Sequence, residues 1–360
     1  MRIVVKVGSN VLTHENRKLN VTRLSALVDQ IAWMRQQGYE VILVSSGAVA
    51  CGRQEINTSS FSRHLDAVAQ RQLFSALGQA KLIGLYYDLF REYGLPVGQV
   101  LTMKDCFASR SQYLNQRACM EVMLQNGVIP IVNENDTVSV TELMFTDNDE
   151  LAGLIATMMG AETLIILSNI DGIYTGSPSD PTSQLIPLVG PEQDLSDYIC
   201  TEKSGFGRGG MLTKCSIARK VADEGIRVII ANGLRDNILL QLIEEPENVA
   251  HTEFIPNESP ASGVKKWIAH SGSFAKGEVR VNANAAKALR GQQAVSLLMV
   301  GVTAVEGHFQ EGDIVTIVDQ DGQPIGVGRS DYSSEQAQSL IGVRDVKPIV
   351  HYNYLYVEPS

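Results

Sequence analysis

The sequence predicts an α/β fold, an open and mainly parallel sheet sandwiched by helices, with a small, mostly β module after it. Three observations carry this. Short, nearly continuous apolar runs recur along the first 250 or so residues, as in strands buried on both faces. Segments with helical spacing lie between them, so strands and helices alternate in the manner of βαβ units with right-handed crossovers. After residue 254 the texture changes to short strand-like pieces separated by glycine turns. The chain of 360 residues has room for about two domains. The expected division is 1–254, a linker over 255–274, and a second domain over 275–360.

The expected strands of the first domain are MRIVVKV (1–7), YEVILVS (39–45), PVGQVL (96–101), VIPIVN (128–133), ETLIILS (162–168) and IRVIIAN (226–232). The first expected helix, 21–38, places Leu24, Leu27, Val28 and Ile31 on one stripe and stops at Gly38. Further helices are expected over 65–93, 112–126, 148–159 and 211–224. IPNESPASG (255–263) is a cluster of turn formers and the best linker in the chain. GEVRVN, SLLMVGVTAVEG and GDIVTIVDQDGQPIGVG then supply the strands of a module ending near Val357.

Composition excludes several classes. Aromatics are sparse at 6%, and no stretch approaches the run of roughly 18 apolar residues expected of a membrane-spanning helix. The chain enters a strand directly, with no apolar signal segment, so a cytoplasmic location is expected. Cys51, Cys106, Cys119, Cys200 and Cys215 form no C-x-x-C pair and read as reduced thiols, not as a zinc site. A net charge of −10 gives no broad basic field for nucleic acid. An anionic ligand therefore needs a local device.

Strand ends supply such devices, because ligands of open α/β sheets bind beyond the carboxyl ends of strands. KVGSN (6–10) ends the first strand with Lys6 followed by Gly8; taken alone, Lys6 is equally a strand-end lysine reaching solvent. SSGAVACG (45–52) places the amides of Ser46, Gly47 and Ala48 where they open a helix, facing an anion or serving only as its cap. NENDTV (133–138) and TDNDE (146–150) bring Asn133, Asp136, Asn148 and Asp149 to element edges, a donor and acceptor set suited to a zwitterion; Asp147 reads equally as an N-cap. SNIDGIYTGSP (168–178) leaves the fifth strand with Ser168 and Asn169 at its end. SGFGRGGMLTK (204–214) packs four glycines into seven positions before Lys214, yet it is not a P-loop, since Met211, Leu212 and Thr213 separate the last glycine from the lysine. The six histidines make no H-x-x-x-H pair, and no G-x-S-x-G or cysteine-histidine nucleophile pattern is present. Lysines, glycine amides and carboxylates remain, which is equipment for phosphoryl transfer.

With KVGSN, SSGAVACG, INENDTV, DNDEL, DGIYT and GRGGMLTK in this order, the chain resembles the amino acid kinase family over almost its whole length. Within that family it is similar to the branch that phosphorylates glutamate, and LLMVGVTAVEGHFQEGDIVTI resembles a PUA domain. The resemblance implies ATP-dependent phosphorylation of the L-glutamate γ-carboxylate to L-glutamyl 5-phosphate, the first step of proline biosynthesis, with ATP and Mg²⁺ required. By matching motif, Lys6, Lys214 and Asp149 take the catalytic roles, the lysines on phosphate and Asp149 holding them. Ser46, Gly47, Asn133, Asp136 and Asn148 bind glutamate. Lys6, Gly8, Ser168, Asn169, Arg208, Gly209, Gly210, Met211 and Lys214 form the ATP site; no metal ligands are assigned. Arg208 stands where the family usually has threonine, and Ser168-Asn169 where it has Thr-Asp or Ser-Asp.

Other inferences also rest on the resemblance. It implies feedback inhibition by proline, delivery of product to glutamyl phosphate reductase and a homo-oligomer without membrane attachment. The segment 53–70 is the expected cover of the glutamate site and seat of any proline response. Acetylglutamate kinase, aspartokinase and uridylate kinase are related alternatives, from which the appended PUA domain points away. An RNA-binding protein with a vestigial kinase domain is the alternative from another class. The module is more acidic than basic, without a basic stripe, so RNA binding is not expected.

Overall fold

A computed structural model describes residues 1–14, 16, 18–56, 65–108, 110–138, 148–177, 180–191, 193, 195, 211–257, 275–291 and 295–357. Two compact units are formed, one by residues 1–103 and 117–260 and the other by 104–116 and 261–360. From 258 on, the expected linker lies outside the described residues.

The first unit begins with β1 (Arg2–Val7), a single turn α1 (Ser9–Leu12) and α2 (Val21–Gln36). The Asn20 side chain caps α2 by accepting from Arg23 N at 3.0 Å, and Leu24, Leu27, Val28 and Ile31 are buried as their spacing predicts. Gly38 follows at φ +86°, so the expected stop is in place. β2 (Glu40–Ser45), α3 (Ala48–Glu55), α4 (Ala67–Arg91) and β3 (Val97–Thr102) come next. α5 (Lys104–Ala108) and the first part of α6 (Arg110–Gln125) belong to the second unit; the first unit resumes within α6 and continues through β4 (Ile129–Glu134), α7 (Asn148–Met159) and β5 (Thr163–Ser168). Three two-residue strands, β6 (Ile173–Tyr174), β7 (Leu185–Ile186) and β8 (Leu188–Val189), precede α8 (Met211–Asp223), β9 (Arg227–Asn232), α9 (Ile238–Glu244) and β10 (His251–Phe254).

The main sheet has the order β3-β4-β2-β1-β5-β9-β10-β8 and is parallel except where β10 pairs antiparallel with β9. β1, β2, β4 and β5 are buried almost throughout, which explains their unbroken apolar runs. PVGQVL was expected to be buried on both faces, but β3 is the edge strand, and only its last residue, Thr102, is buried. The chain runs outward from β1 through β2, then crosses back to place β5 on the other side of β1. That reversal is the topological switch point at which open α/β sheets bind ligands.

α3 and α4 cross at glycines. A Cβ on Gly78 would lie 1.7 Å from Ala48 O, and one on Gly52 would lie 1.8 Å from Phe74 O. Gly78→Ala is therefore expected to push the helices apart at a cost of roughly 1–3 kcal/mol or more, lowering the melting temperature by several degrees. Thermal melting within about one degree of the parent would show that this crossing yields without strain.

In the second unit, β11 (Gly277–Val281), α10 (Ala283–Leu289), β12 (Val302–Gly307), β13 (Ile314–Val318), β14 (Pro324–Ser330), α11 (Ser334–Ser339) and β15 (Val350–Val357) follow one another. The strands form a separate sheet ordered β12-β11-β13-β14-β15, with β11 and β13 parallel. Val279, Val281, Phe309, Val315, Ile317, Ile325 and Val350 build its core. Among the described residues, no helix is long and apolar enough to cross a membrane, and Cys51, Cys106, Cys119 and Cys215 are free.

Candidate active site

The register of the sheet brings the expected strand ends level. Val7 faces Ser45 on one side and Leu167 on the other, and Ser168 faces Asn232. At this edge two clusters form, joined by one peptide bond between Asn148 and Asp149 in the first turn of α7.

The first cluster carries charge. Asp149 is fully buried, with Oδ1 paired to the Lys6 ammonium and Oδ2 accepting from Lys214 Nζ at 2.5 Å. Lys6 comes from the end of β1 and Lys214 from the first turn of α8, more than 200 residues apart in the chain. Burial pushes the Asp149 carboxyl up, and the two lysines overcome it and hold the group below the usual carboxylate range. Gly8 follows Lys6 with its amide donating to Leu167 O at 3.1 Å. Its contribution is room: a Cβ there would stand 3.2 Å from Leu167 O and 3.5 Å from Lys6 Nζ. Ser168 and Asn169 lie at the end of β5, with Ser168 Oγ donating to Asn169 Oδ1 at 3.5 Å. Arg208, Gly209 and Gly210 lie outside the described residues. Met211 opens α8.

The second cluster is made of neutral donors and acceptors. Asn148 Nδ2 donates to Ser46 Oγ at 2.9 Å, to Asn133 Oδ1 at 3.1 Å and to Ser45 O at 3.1 Å. Asn133 Nδ2 in turn donates to Gln79 Oε1 at 2.8 Å. Gly47 sits at φ +104° as the cap residue of α3, a left-handed turn that a side chain would strain. Asp136 is buried a few residues beyond β4. Its Oδ1 accepts from Arg71 Nε at 2.8 Å and Nη2 at 2.5 Å, and its Oδ2 from Ser75 Oγ at 3.2 Å.

The sequence reading missed Arg71, Ser75 and Gln79, all from α4, and Glu134, whose Oε2 accepts from Arg71 Nη2 at 3.4 Å. The signal was present: three polar residues at i, i+4 and i+8 share the face on which Phe74, Gly78 and Leu82 are buried. Also missed was a brace beyond β5 and β9. Arg235 Nε and Nη2 each donate to Asp171 at 2.8 Å, and Asn232 Nδ2 donates to the same carboxylate at 3.0 Å. The Arg235 bond holds Asp171 below the usual range against partial burial, and the brace fixes the turn that begins at Asn169.

Two lysines locked on one buried carboxylate, beside a cluster of amides and hydroxyls at a sheet switch point, are the equipment of phosphoryl transfer. The family model "Amino acid kinase family" matches residues 1–232, and "PUA domain" matches 277–352; the chain belongs to the amino acid kinase family. Its sequence is 61% identical over 357 residues to the glutamate 5-kinase of Bacteroides thetaiotaomicron, covering 99% of this chain and 98% of that one. The glutamate 5-kinase of Chlorobaculum tepidum is 48% identical over 361 residues, covering 99% and 98%. Among solved structures, a carbamate kinase from Giardia lamblia bound to AMP-PNP matches with TM-score 0.52 and 14% identity over 71% of this chain and 98% of that one, a likeness of fold.

Proposed function

We propose that this chain transfers the γ-phosphoryl group of ATP to the γ-carboxylate of L-glutamate, giving L-glutamyl 5-phosphate, the opening reaction of proline biosynthesis. The observation that carries the mechanism is the adjacency of Asn148 and Asp149. One residue belongs to a neutral cluster suited to a carboxylate acceptor, and the next locks the two lysines, which we assign to phosphate. The γ-carboxylate has an ordinary pKa near 4.3 and is already ionised at neutral pH, so it needs no general base. The difficulty is an anion meeting an anion. Lys6 and Lys214 neutralise charge developing on the transferring group, and Asp149 keeps both in position. Ser46, Gly47, Asn133 and Asn148 orient the γ-carboxylate, while Asp136 receives the α-ammonium. Gly8, Ser168, Asn169 and Met211, with Arg208, Gly209 and Gly210, flank the nucleotide; an added guanidinium at 208 is electrostatically compatible with phosphate.

Among the described residues, no three His, Cys, Asp or Glu gather in a way that could hold a metal ion, and Asp149 is engaged with lysines. We take Mg²⁺ to arrive with ATP and assign it no protein ligands. When bound, it would offset phosphate charge. We further read the enzyme as cytoplasmic and homo-oligomeric, inhibited by proline and supplying glutamyl phosphate reductase. The segment 53–70 is taken as the cover of the glutamate site, though 57–64 lie outside the described residues. We take the domain limits as 1–254 and 275–360, joined by a linker over 255–274. A structural or regulatory role suits the acidic PUA domain better than RNA binding.

The test is an ATP- and Mg²⁺-dependent assay with hydroxylamine, which traps an acyl phosphate as the hydroxamate. L-Glutamate is expected to yield hydroxamate, and aspartate and N-acetylglutamate not; UMP is expected to release no ADP. Turnover of a control in place of glutamate would keep the kinase and discard the substrate.

A further inference from the structure

Asp136 does not stand alone at the glutamate site. Its carboxylate is almost wholly buried and is gripped from α4 on both oxygens. An ionised carboxylate offers about four acceptor positions. Arg71 occupies both positions of Oδ1 through Nε and Nη2, and Ser75 takes one on Oδ2. Among the described residues one acceptor position on Oδ2 is left, next to a serine oxygen that can itself accept. The same arginine reaches Glu134, so the guanidinium spans two carboxylates whose side chains are 7% and 3% exposed.

We propose that Arg71 is a specificity-determining positioning residue: its two-pronged hold on Oδ1 turns Oδ2 of Asp136 toward the α-ammonium of glutamate, with Ser75 setting the same oxygen from the other side. This rests on the proposed glutamate reaction and deepens it. The enzyme thereby selects an amino acid over a plain dicarboxylate. Arg71 acts through Asp136 and not on the reacting atoms, so its loss should appear in substrate selection more than in turnover.

The experiment compares L-glutamate, glutarate, which lacks the ammonium, and 4-aminobutyrate, which lacks the α-carboxylate, in the hydroxamate assay on the full chain. In Arg71→Gln, KM for glutamate is expected to rise about 10- to 100-fold with kcat within about 3-fold. The preference for glutamate over glutarate should fall by a similar factor. Arg71→Lys, which keeps the charge and loses the two-pronged hold, should lie between the parent and the Gln variant, and Ser75→Ala should lower the same preference by a smaller factor. Should the Gln variant not fold, these two decide. An unchanged glutamate-to-glutarate preference in folded variants overturns the proposal, as does a loss confined to discrimination against 4-aminobutyrate, which would put the arginine on the α-carboxylate instead. A parent that forms no glutamate hydroxamate overturns the reaction and this inference together; an active parent with unaltered variants overturns this inference alone.

Discussion

Replacing Asp149 by asparagine is expected to abolish useful turnover and to destabilise the fold at once. The side chain is fully buried and holds Lys6 and Lys214, so the neutral amide takes away the carboxylate charge that both ammonium groups share. Removing one partner of a buried ionic group costs about 3–5 kcal/mol, a large share of a typical domain stability. Both lysines also lose their fixed positions, and turnover should fall by about 1000-fold or more if each contributes as a preorganised donor does. The acid limb supplies an independent check. Because the folded-state pKa of Asp149 lies below its unfolded value, its stabilising contribution is complete above the ordinary carboxylate range and is lost as the pH falls through that range and below it. Chemical denaturation across pH 3–7 should show this component in the parent and not in Asp149→Asn. Parent-like stability and turnover in the variant would mean that the lysines are held by something else.

Lys214→Ala should reduce turnover by about 100- to 1000-fold, the loss expected when one donor to a developing oxyanion is removed, roughly 3–4 kcal/mol. Lys6 retains Asp149 in this variant, so the fold should tolerate the change better than Asp149→Asn does. KM for glutamate should stay near the parent value, because Lys214 belongs to the charged cluster around Asp149, whereas Ser46, Asn133 and Asn148 are joined to one another in the amide cluster. Steady-state kinetics with each substrate varied in turn separate these outcomes. Near-normal turnover would remove Lys214 from catalysis, and a rise confined to glutamate KM would place it in the wrong cluster.

How far the residues announced this site depended on where each one sits. β1, β2, β4, β5 and β9 were legible because a parallel strand buried on both faces must be apolar along its length. Their carboxyl ends then located Lys6, Ser46, Asn133 and Ser168 by position alone. β3 was legible as a strand but not as an edge, since pairing partners are non-local. The two-residue strands β6, β7 and β8 are too short to carry a period. Asp149 and Lys214 were read as functional from their motifs, and the family resemblance also implied that Asp149 holds both lysines; the contact geometry by which it bridges a strand lysine and a helix lysine was not readable. Arg71, Ser75 and Gln79 stayed hidden for a different reason. Polar residues on a 25-residue helix ordinarily face solvent, and only the packing of α4 on α3 through Gly52 and Gly78 turns that stripe inward. Arg235 reaches Asp171 across 64 residues, which no local pattern reports.

The decisive measurement follows an oxygen atom. Glutamate carrying ¹⁸O in both γ-carboxylate positions is incubated with ATP, Mg²⁺ and hydroxylamine, and the inorganic phosphate released is examined by ³¹P NMR. If the γ-carboxylate attacks the γ-phosphorus, one labelled oxygen bridges carbon and phosphorus; hydroxylamine then attacks the acyl carbon, breaks the carbon–oxygen bond and leaves that label on phosphate. One ¹⁸O per phosphate, in step with hydroxamate formed, is the predicted result. Unlabelled phosphate accompanying ADP release would mean that water, and not glutamate, is the acceptor, and would contradict the assignment of this site to acyl phosphate formation.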